Sequence, residues 1–206
     1  MFQWRIPSRH RASPPGFVLP CQPVRAEEIP TGPNWVHELK WDGYRIMARR
    51  AGAATRLWSR NGRNWTAAFP QIAEAIERLP VQSIVLDGEV VCLAPDGRPD
   101  FHALHAKAGC RDARLVAFDL LAVDGEDLRP MPLGERRRRL AGLLGRDDAL
   151  WFSSHVEGAE GAALFRHACA MNLEGIVSKR LDAPYRSGPF RGWRKIKFSG
   201  YRRIGD

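Results

Sequence analysis

The sequence predicts an antiparallel α+β domain, in which short strands joined by hairpin turns carry helices on their flanks. From Trp35 onward, runs rich in β-branched and aromatic residues alternate with turn signals such as Asp96-Gly97 and Asp124-Gly125. Only a few longer segments show the apolar spacing of helices. Residues 1–34 are rich in proline and lack this spacing, so we expect an N-terminal arm at 1–34 and one domain at 35–206.

Strands and helices are assigned from the period of the apolar residues. A strand places every second side chain on one face, whereas a helix repeats its apolar face every three to four residues. Tight turns or prolines separate the segments that show either pattern. Strands are predicted at 35–41, 44–50, 54–60, 83–94, 113–123, 174–180 and 192–198, and helices at 69–80, 133–144 and 161–172.

Two local features have ordinary structural interpretations. In the helix at 133–144, Leu133 and Leu140 lie on the apolar stripe, so the arginine run at 136–139 is expected to cover the solvated flank. His102 and His105 precede Cys110 at a spacing that matches no zinc pattern, which favours a short helix over a metal site. None of the four cysteines forms a CxxC pair, so reduced thiols in the core are expected.

The charge indicates a polyanionic partner. The formal net charge is +9, which favours binding of nucleic acid or a nucleotide. Lysine supplies only five of the 32 basic residues, at positions 40, 107, 179, 195 and 197, and arginine supplies the rest. An amine can lose its proton and attack an electrophile, whereas a guanidinium stays protonated. The rare lysines are therefore candidates for covalent chemistry.

An ordered series of motifs contains four of these lysines. It begins with Lys40-Trp41-Asp42-Gly43-Tyr44-Arg45 and continues with SRNG, LDGEVV, FDLL, EGIVSK and WRKIK at 59–62, 86–91, 118–121, 174–179 and 193–197. The series closely resembles the motifs of the covalent nucleotidyltransferase superfamily, over the stretch 35–198. The likeness is strongest to bacterial ATP-dependent DNA ligases of the end-joining type, and HELKWDGYR, SRNGRNWT and EGIVSKR carry it. The resemblance implies the ligase adenylation fold and ATP as the nucleotide.

The resemblance also implies roles for individual residues on the nucleotide side. Lys40 would be the nucleophile that becomes covalently linked to AMP. Glu38 and the backbone near Leu39 would read the adenine edge, and Phe118 would stack on the base, although an ordinary core position is the alternative for this ring. The arginines Arg45 and Arg60 resemble residues that contact ribose, phosphate or the nick.

Strand alternation groups the charged residues near the phosphates. Lys195 and Lys197 share one face of their strand with Trp193, and the resemblance places both lysines on the α-phosphate. Asp87 shares a face with Glu89, and such carboxylates repel each other unless a cation or base neutralises them. The resemblance assigns Glu89 to the ribose or a metal and Glu174 to a divalent metal, for which carboxylate oxygens favour Mg²⁺ or Mn²⁺.

Two residue patterns depart from the expected ones. Arg194 stands where the family usually has an apolar residue. Whether the face of the strand that carries Arg194 is buried is therefore left open. A second DGE at 124–126 reads as a turn, and we do not expect a site there. Ligases of this family usually carry an OB-fold domain after the WxKxK strand, and none is expected here. Both a natural minimal ligase and a piece of a larger one agree with the sequence.

The resemblance implies a reaction in three steps: formation of lysyl-AMP, transfer of AMP to a 5′-phosphate, and attack by a 3′-hydroxyl. The expected partners are nicked or broken duplex DNA, other repair proteins or a separate ligase that bears an OB-fold. No membrane partner and a cytoplasmic, nucleoid-associated location are expected, because no apolar run approaches the roughly 18 residues of a spanning helix. The alternatives are a non-catalytic nucleotide- or DNA-binding remnant and an RNA ligase or capping-type enzyme.

Overall fold

Two β-sheets face each other in the computed structural model, which describes residues 16–106, 111–145 and 147–204. Sheet A has the strand order β1 (Cys21–Arg25), β11 (Gly188–Lys197), β10 (Gly175–Arg180), β2 (Trp35–Leu39) and β9 (Val156–Glu157). Sheet B has the order β4 (Ala54–Ser59), β3 (Tyr44–Ala51), β5 (Ser83–Val91), β6 (Arg114–Val123) and β7 (Glu126–Asp127), and β8 (Leu150–Phe152) pairs with β6. The helices are α1 (Pro70–Glu77), α2 (Phe101–His105), α3 (Leu133–Leu143) and α4 (Gly161–Ala170).

Three apolar clusters hold these layers together. The cluster between the sheets includes Val36 and Trp193 from sheet A and Met47 and Phe118 from sheet B. A larger cluster packs α1 against the other side of sheet B, and a small one packs α4 against sheet A. Burial of such side chains stabilises the packing of the two sheets by about 25 cal/mol per Å² of apolar area removed from water.

The predicted antiparallel α+β fold is confirmed. All seven predicted strands and all three predicted helices are present, with ends that differ by a few residues. Every strand pair within the described residues is antiparallel except β1 with β11 and β6 with β8. Asp124 and Gly125 both have positive φ and join β6 to β7, as a type I′ hairpin turn requires. The second DGE is therefore a turn, as expected.

The N-terminal segment is more structured than its sequence predicts. Cys21–Arg25, within the stretch assigned to an arm, forms β1 and pairs in parallel with β11. A backbone hydrogen bond from Gly188 to the Pro20 carbonyl, at 3.0 Å, extends this contact. The sequence does not predict this strand because prolines interrupt its alternating pattern. An edge strand can still pair on one side when it contains proline.

The expectation for the arginine run is wrong at Arg136 and Arg137. Both side chains are buried, with relative exposures of 0% and 3%. The Arg136 guanidinium donates to both carboxylate oxygens of Asp119, at 2.7 and 2.8 Å. Burial of an arginine requires such a partner, and the partner stands on a different element, where helical periodicity cannot reveal it. Arg138 does lie on the solvated flank, with its side chain 73% exposed.

The cysteines, the histidines and the helices bear on some smaller expectations. Cys92 is disulfide-bonded, contrary to the expectation of reduced thiols, whereas Cys21 and Cys169 are free. His102 and His105 lie on α2, as predicted, and the described part of the chain holds no group of three or more potential metal ligands. Cys110 lies outside the described residues. None of the described helices is long and apolar enough to cross a bilayer.

The buried pair of Arg136 and Asp119 provides a stability test. Replacement of Arg136 by methionine leaves a buried carboxylate without its partner, which lowers the free energy of unfolding by about 3–5 kcal/mol. Arg138→Met removes the same charge from an exposed position and is expected to change it by less than about 0.5 kcal/mol. Urea unfolding measures both values. The double variant Arg136→Met/Asp119→Leu should recover most of the loss, and equal effects of the two single variants would contradict the assignment.

Candidate active site

Lys40 lies where β2 leaves sheet A. Its backbone N–H donates to the Gly175 carbonyl at 2.9 Å, which ties the residue to the start of β10. Gly175 has a φ of 132°, and a Cβ there would lie 2.1 Å from the Ile196 carbonyl oxygen. Only glycine allows this approach between β10 and β11. The glycine next to Glu174 therefore sets the position of Lys40 relative to both neighbouring strands.

The turn after Lys40 is held from two sides. A Cβ on Gly43 would lie 2.1 Å from the Val90 carbonyl oxygen, so this turn contacts β5 directly. Asp42 accepts hydrogen bonds from Tyr201 at 2.8 Å and from Arg203 at 2.7 and 3.0 Å. Burial alone would raise the pKa of Asp42, but these hydrogen bonds outweigh it and hold the pKa below its ordinary value. The turn therefore has little freedom to displace Lys40.

The amine of Lys40 is part of a short charged chain. It lies 2.5 Å from Oε2 of Glu174, and Lys197 lies 2.6 Å from Oε1 of the same carboxylate. Burial lowers the pKa of Lys195, and the neighbouring ammonium groups of Lys197 and Lys40 add to this effect. Arg60 also acts electrostatically on Lys195. Two lysines therefore pair with one carboxylate, and Lys195 and Arg60 add positive charge to the same region, an arrangement that attracts a polyanion.

Sheet B supplies two carboxylates below Lys40. Asp87 is fully buried and accepts hydrogen bonds from Arg45, at 2.5 and 2.8 Å, and from the Tyr185 hydroxyl at 2.6 Å. Glu89 lies opposite Arg45 in the pairing of β3 with β5. Burial raises the pKa of Glu89 to about 7, Asp87 and Glu174 add to the shift, and Arg45 and Lys40 oppose it. Arg45 neutralises Asp87, and the raised pKa of Glu89 favours its neutral form, so both effects weaken the predicted repulsion between the two carboxylates.

An aromatic wall closes the inner end of the site. Phe118 and Trp193 meet edge to face with their centroids 5.9 Å apart. The amine of Lys179 lies 4.1 Å from the Phe118 centroid and 4.3 Å from that of Trp193, and the Arg45 guanidinium lies 4.5 Å from the Phe118 centroid. Phe118 belongs to the inter-sheet core and also lines the cleft, so the two interpretations of this ring are compatible.

Glu38 forms a buried ionic network beside this wall. Its Oε1 lies 2.8 Å from Arg137 and 2.8 Å from Lys179, and Ser153 donates to its Oε2 at 2.7 Å. Burial would raise the pKa of Glu38, but Arg137 and Lys179 outweigh burial and hold the pKa below its ordinary value. A carboxylate accepts about four hydrogen bonds, so an acceptor position remains on Oε2.

The structure brings the predicted site residues together around one cleft between the sheets. Six of them line it directly: Glu38, Leu39, Lys40, Arg45, Glu89 and Phe118. Glu174 and Lys197 join through ion pairs, and Lys195 and Arg60 through electrostatic interactions with this group.

Five lining residues were not predicted as site residues: Pro23, Trp41, Val177, Lys179 and Trp193. Strand alternation could have identified Val177 and Lys179, because they share the cleft-facing side of β10. For Pro23 the sequence carried no signal.

Comparisons with known proteins identify relatives of this arrangement. Residues 25–197 match the family model described as ATP dependent DNA ligase domain. The multifunctional non-homologous end joining protein LigD of Pseudomonas aeruginosa is 42% identical over 188 residues, covering 89% of this chain and 22% of that protein. A probable DNA ligase of Sorangium cellulosum is 36% identical, covering 88% and 38%. This chain thus spans about a fifth to two fifths of these curated relatives.

Solved structures of DNA ligases resemble the fold of this chain. A mycobacterial DNA ligase D complexed with ATP and MES superposes with a TM-score of 0.74 at 32% identity, covering 86% of this chain and 59% of that one. The Chlorella virus DNA ligase-adenylate has a TM-score of 0.63 at 15% identity, covering 88% and 69%, and supports the fold alone.

The raised pKa of Glu89 predicts a pH-dependent contribution to stability. A carboxyl whose pKa is about 7 in the folded chain, against an ordinary value of 4.5, binds its proton more tightly when folded. The stability this gives is present below pH 4.5 and is lost as the pH rises toward 7. Without divalent metal, we expect the free energy of unfolding of the parent to fall relative to Glu89→Gln over this interval. A constant difference across the pH series would refute the shift.

Proposed function

This chain belongs to the family of ATP-dependent DNA ligase domains, and from that premise we propose that it is the adenylation domain of a DNA-joining enzyme of the end-joining type. The observation that carries the proposal is the position of Lys40. Its amine projects into a cleft that has an aromatic wall at one end and Lys197 with Glu174 at the other. Such a cleft accommodates a base at its inner end and phosphates at its cationic end.

The first step is nucleotidyl transfer to Lys40. The Lys40 ammonium must leave Glu174 and give its proton to solvent before its electron pair can attack. A bond then forms between Nζ and the α-phosphorus of ATP, the bond from that phosphorus to the bridging oxygen breaks, and pyrophosphate departs with the electron pair. The cations Lys195 and Lys197 stabilise negative charge on the transferring group, while the fixed turn after Lys40 supplies alignment.

The base would be recognised at the inner end. Glu38 presents one remaining acceptor position on Oε2, which suits the amino group of adenine, and its orientation is fixed by Arg137, Lys179 and Ser153. The backbone near Leu39 would contact the same edge. Phe118 offers its ring for stacking, and Arg45 and Arg60 would contact ribose, phosphate or the nick.

The chemistry of the donors fits a hard divalent cation, Mg²⁺ or Mn²⁺. Glu174 and Glu89 offer carboxylate oxygens beside Lys40, and among the described residues no side chain is seen to donate a hydrogen bond to Glu89. Mg²⁺ is commonly held by one or two carboxylates together with substrate phosphates. Bound there, the ion would neutralise charge on the phosphates of ATP. The two glutamates would hold it and keep it within reach of the α-phosphate.

The later steps take place on DNA. An oxygen of a 5′-phosphate attacks the phosphorus of lysyl-AMP, the N–P bond breaks, and the Lys40 amine is released. A 3′-hydroxyl then attacks the activated 5′-phosphate, a phosphodiester forms, and AMP leaves. The substrate is nicked or broken duplex DNA, in keeping with the end-joining name of the Pseudomonas relative. Repair proteins or a ligase bearing an OB-fold are proposed as partners, at a cytoplasmic, nucleoid-associated location.

Incubation with α-labelled ATP and magnesium tests the first step. We expect a covalent protein–AMP adduct that survives denaturing electrophoresis and maps to Lys40. Lys40→Arg keeps the charge but supplies no usable nucleophile, so the label should disappear. Label that persists in this variant, or that maps to another residue, would overturn the proposal. No label on the parent would favour a non-catalytic remnant, and equal labelling by GTP would favour a capping-type enzyme.

Glu174→Gln tests whether the carboxylate between the lysines is functional. It keeps the shape but removes the charge that contacts Lys40 and Lys197, and loss of one preorganised electrostatic contact slows a reaction on the order of 100-fold. We expect initial self-labelling to fall by that order while the unfolding midpoint stays near that of the parent. Glu77→Gln, at an exposed position on α1, is the matched control and should label normally. An equal rate in both variants would remove Glu174 from the mechanism.

A further inference from the structure

A second cationic feature lies on the side of sheet A that faces away from Lys40. Lys179 and Trp193 point into the catalytic cleft, so the next residues along their strands, Arg180 and Arg194, belong to the opposite face. One end of that face is covered by α4. The other end carries a depression whose principal lining residues are Trp35, Phe190 and four arginines, which we call the arginine surface: Arg180, Arg186, Arg191 and Arg194.

The charge of the arginine surface is largely uncompensated. Among the described residues, Asp182 is the one acidic residue that lines the depression, and it is paired with Arg180. Arg186 and Arg191 are exposed, and neither forms an ion pair with another described residue. The Arg194 guanidinium rests over the Trp35 ring, 4.9 Å from its centroid. Like charges gathered in this way repel one another unless an anion binds between them.

The arginines stand on a backbone that is already fixed. Arg194 of β11 is paired on both sides, with Val24 of β1 and Ser178 of β10. Arg191 follows Phe190, which pairs with Pro23 of β1. Arg186 follows Tyr185, which is buried and whose N–H donates to the Arg129 carbonyl at 2.8 Å. The Leu181 N–H donates to the Asn34 carbonyl at 2.8 Å. The loop between β10 and β11 is thereby held at both ends, so an anion would meet preorganised donors.

We propose that the arginine surface binds the backbone phosphates of duplex DNA, on a stretch distinct from the one that enters the catalytic cleft. Guanidinium groups match phosphate oxygens with two parallel hydrogen bonds, and several spaced along a depression match a repeating phosphodiester better than a single small anion. Among the described residues, the depression shares no lining residue with the catalytic cleft, so these phosphates are not the reacting ones. The inference rests on the proposed DNA-joining function and adds a second place where the duplex is held.

The test compares two pairs of substitutions that lower the net charge equally. Arg186→Gln/Arg191→Gln alters the arginine surface, and Arg56→Gln/Arg138→Gln alters exposed arginines on β4 and α3. Binding of a fluorescein-labelled nicked duplex is followed by fluorescence anisotropy, without ATP, over a salt series of roughly 50 to 200 mM. The first pair should weaken binding ~10-fold and lower the slope of log K against log salt by about 2. The control pair should change the affinity less than about twofold.

Further arms separate this proposal from the proposed function. Both pairs should self-label with α-labelled ATP like the parent, because the catalytic cleft is unaltered. If the parent failed to label, that result would count only against the proposed adenylation. The anisotropy comparison, which is made without ATP, would still test DNA binding by the arginine surface. Arg186→Lys/Arg191→Lys should restore most of the DNA affinity. Equal weakening by both glutamine pairs would show a general charge effect, and unchanged binding by the first pair would point to a protein partner; either result overturns the proposal.

Discussion

The arrangement of the two sheets depends on the buried ionic network around the carboxylate of Glu38. This carboxylate extends from β2 of sheet A, and its partners are Arg137 on α3, Lys179 on β10 and Ser153 after β8. Arg137 also donates to the Phe118 carbonyl on β6 at 3.1 Å. A charge buried to this degree is tolerated only when several partners compensate for its lost hydration. Displacement of any one element would leave charges unpaired, so the network keeps both sheets and α3 in register.

The same network shapes the inner end of the cleft. Lys179 contacts Glu38 and lies over the rings of Phe118 and Trp193, so one cation positions both the carboxylate and the aromatic wall. The outer end is built in another way, from short-range contacts around Lys40. Gly175, Gly43 and Asp42 hold the backbone there through close approach and hydrogen bonds. A rigid wall and a rigid turn thus face each other across the space that ATP would fill.

The distribution of charge differs between the two faces of sheet A. Toward the cleft, cations are interleaved with Glu38, Glu89 and Glu174, so the field there changes sign over short distances. This would suit the proposed site, which has to hold a triphosphate and let a lysine lose its proton. On the opposite face, arginines gather with little acidic compensation. Such a surface would bind phosphates without reacting with them. Its attraction for phosphates would fall as the salt concentration rises.

The sequence by itself determined the elements and the candidate site residues that the structure brings to one cleft. Strand alternation placed Lys195 with Lys197 and Asp87 with Glu89, because side-chain direction in a strand depends only on parity. The motif series located Lys40 and Glu174, and the structure brings them within 2.5 Å of each other.

Only the tertiary structure decided which charges are buried. Arg136 and Arg137 look like a solvated flank along α3, yet each has a carboxylate partner far away in the chain. Local periodicity carries no information about such a partner, whereas burial and the pKa of a group such as Glu89 depend on every element that packs around it.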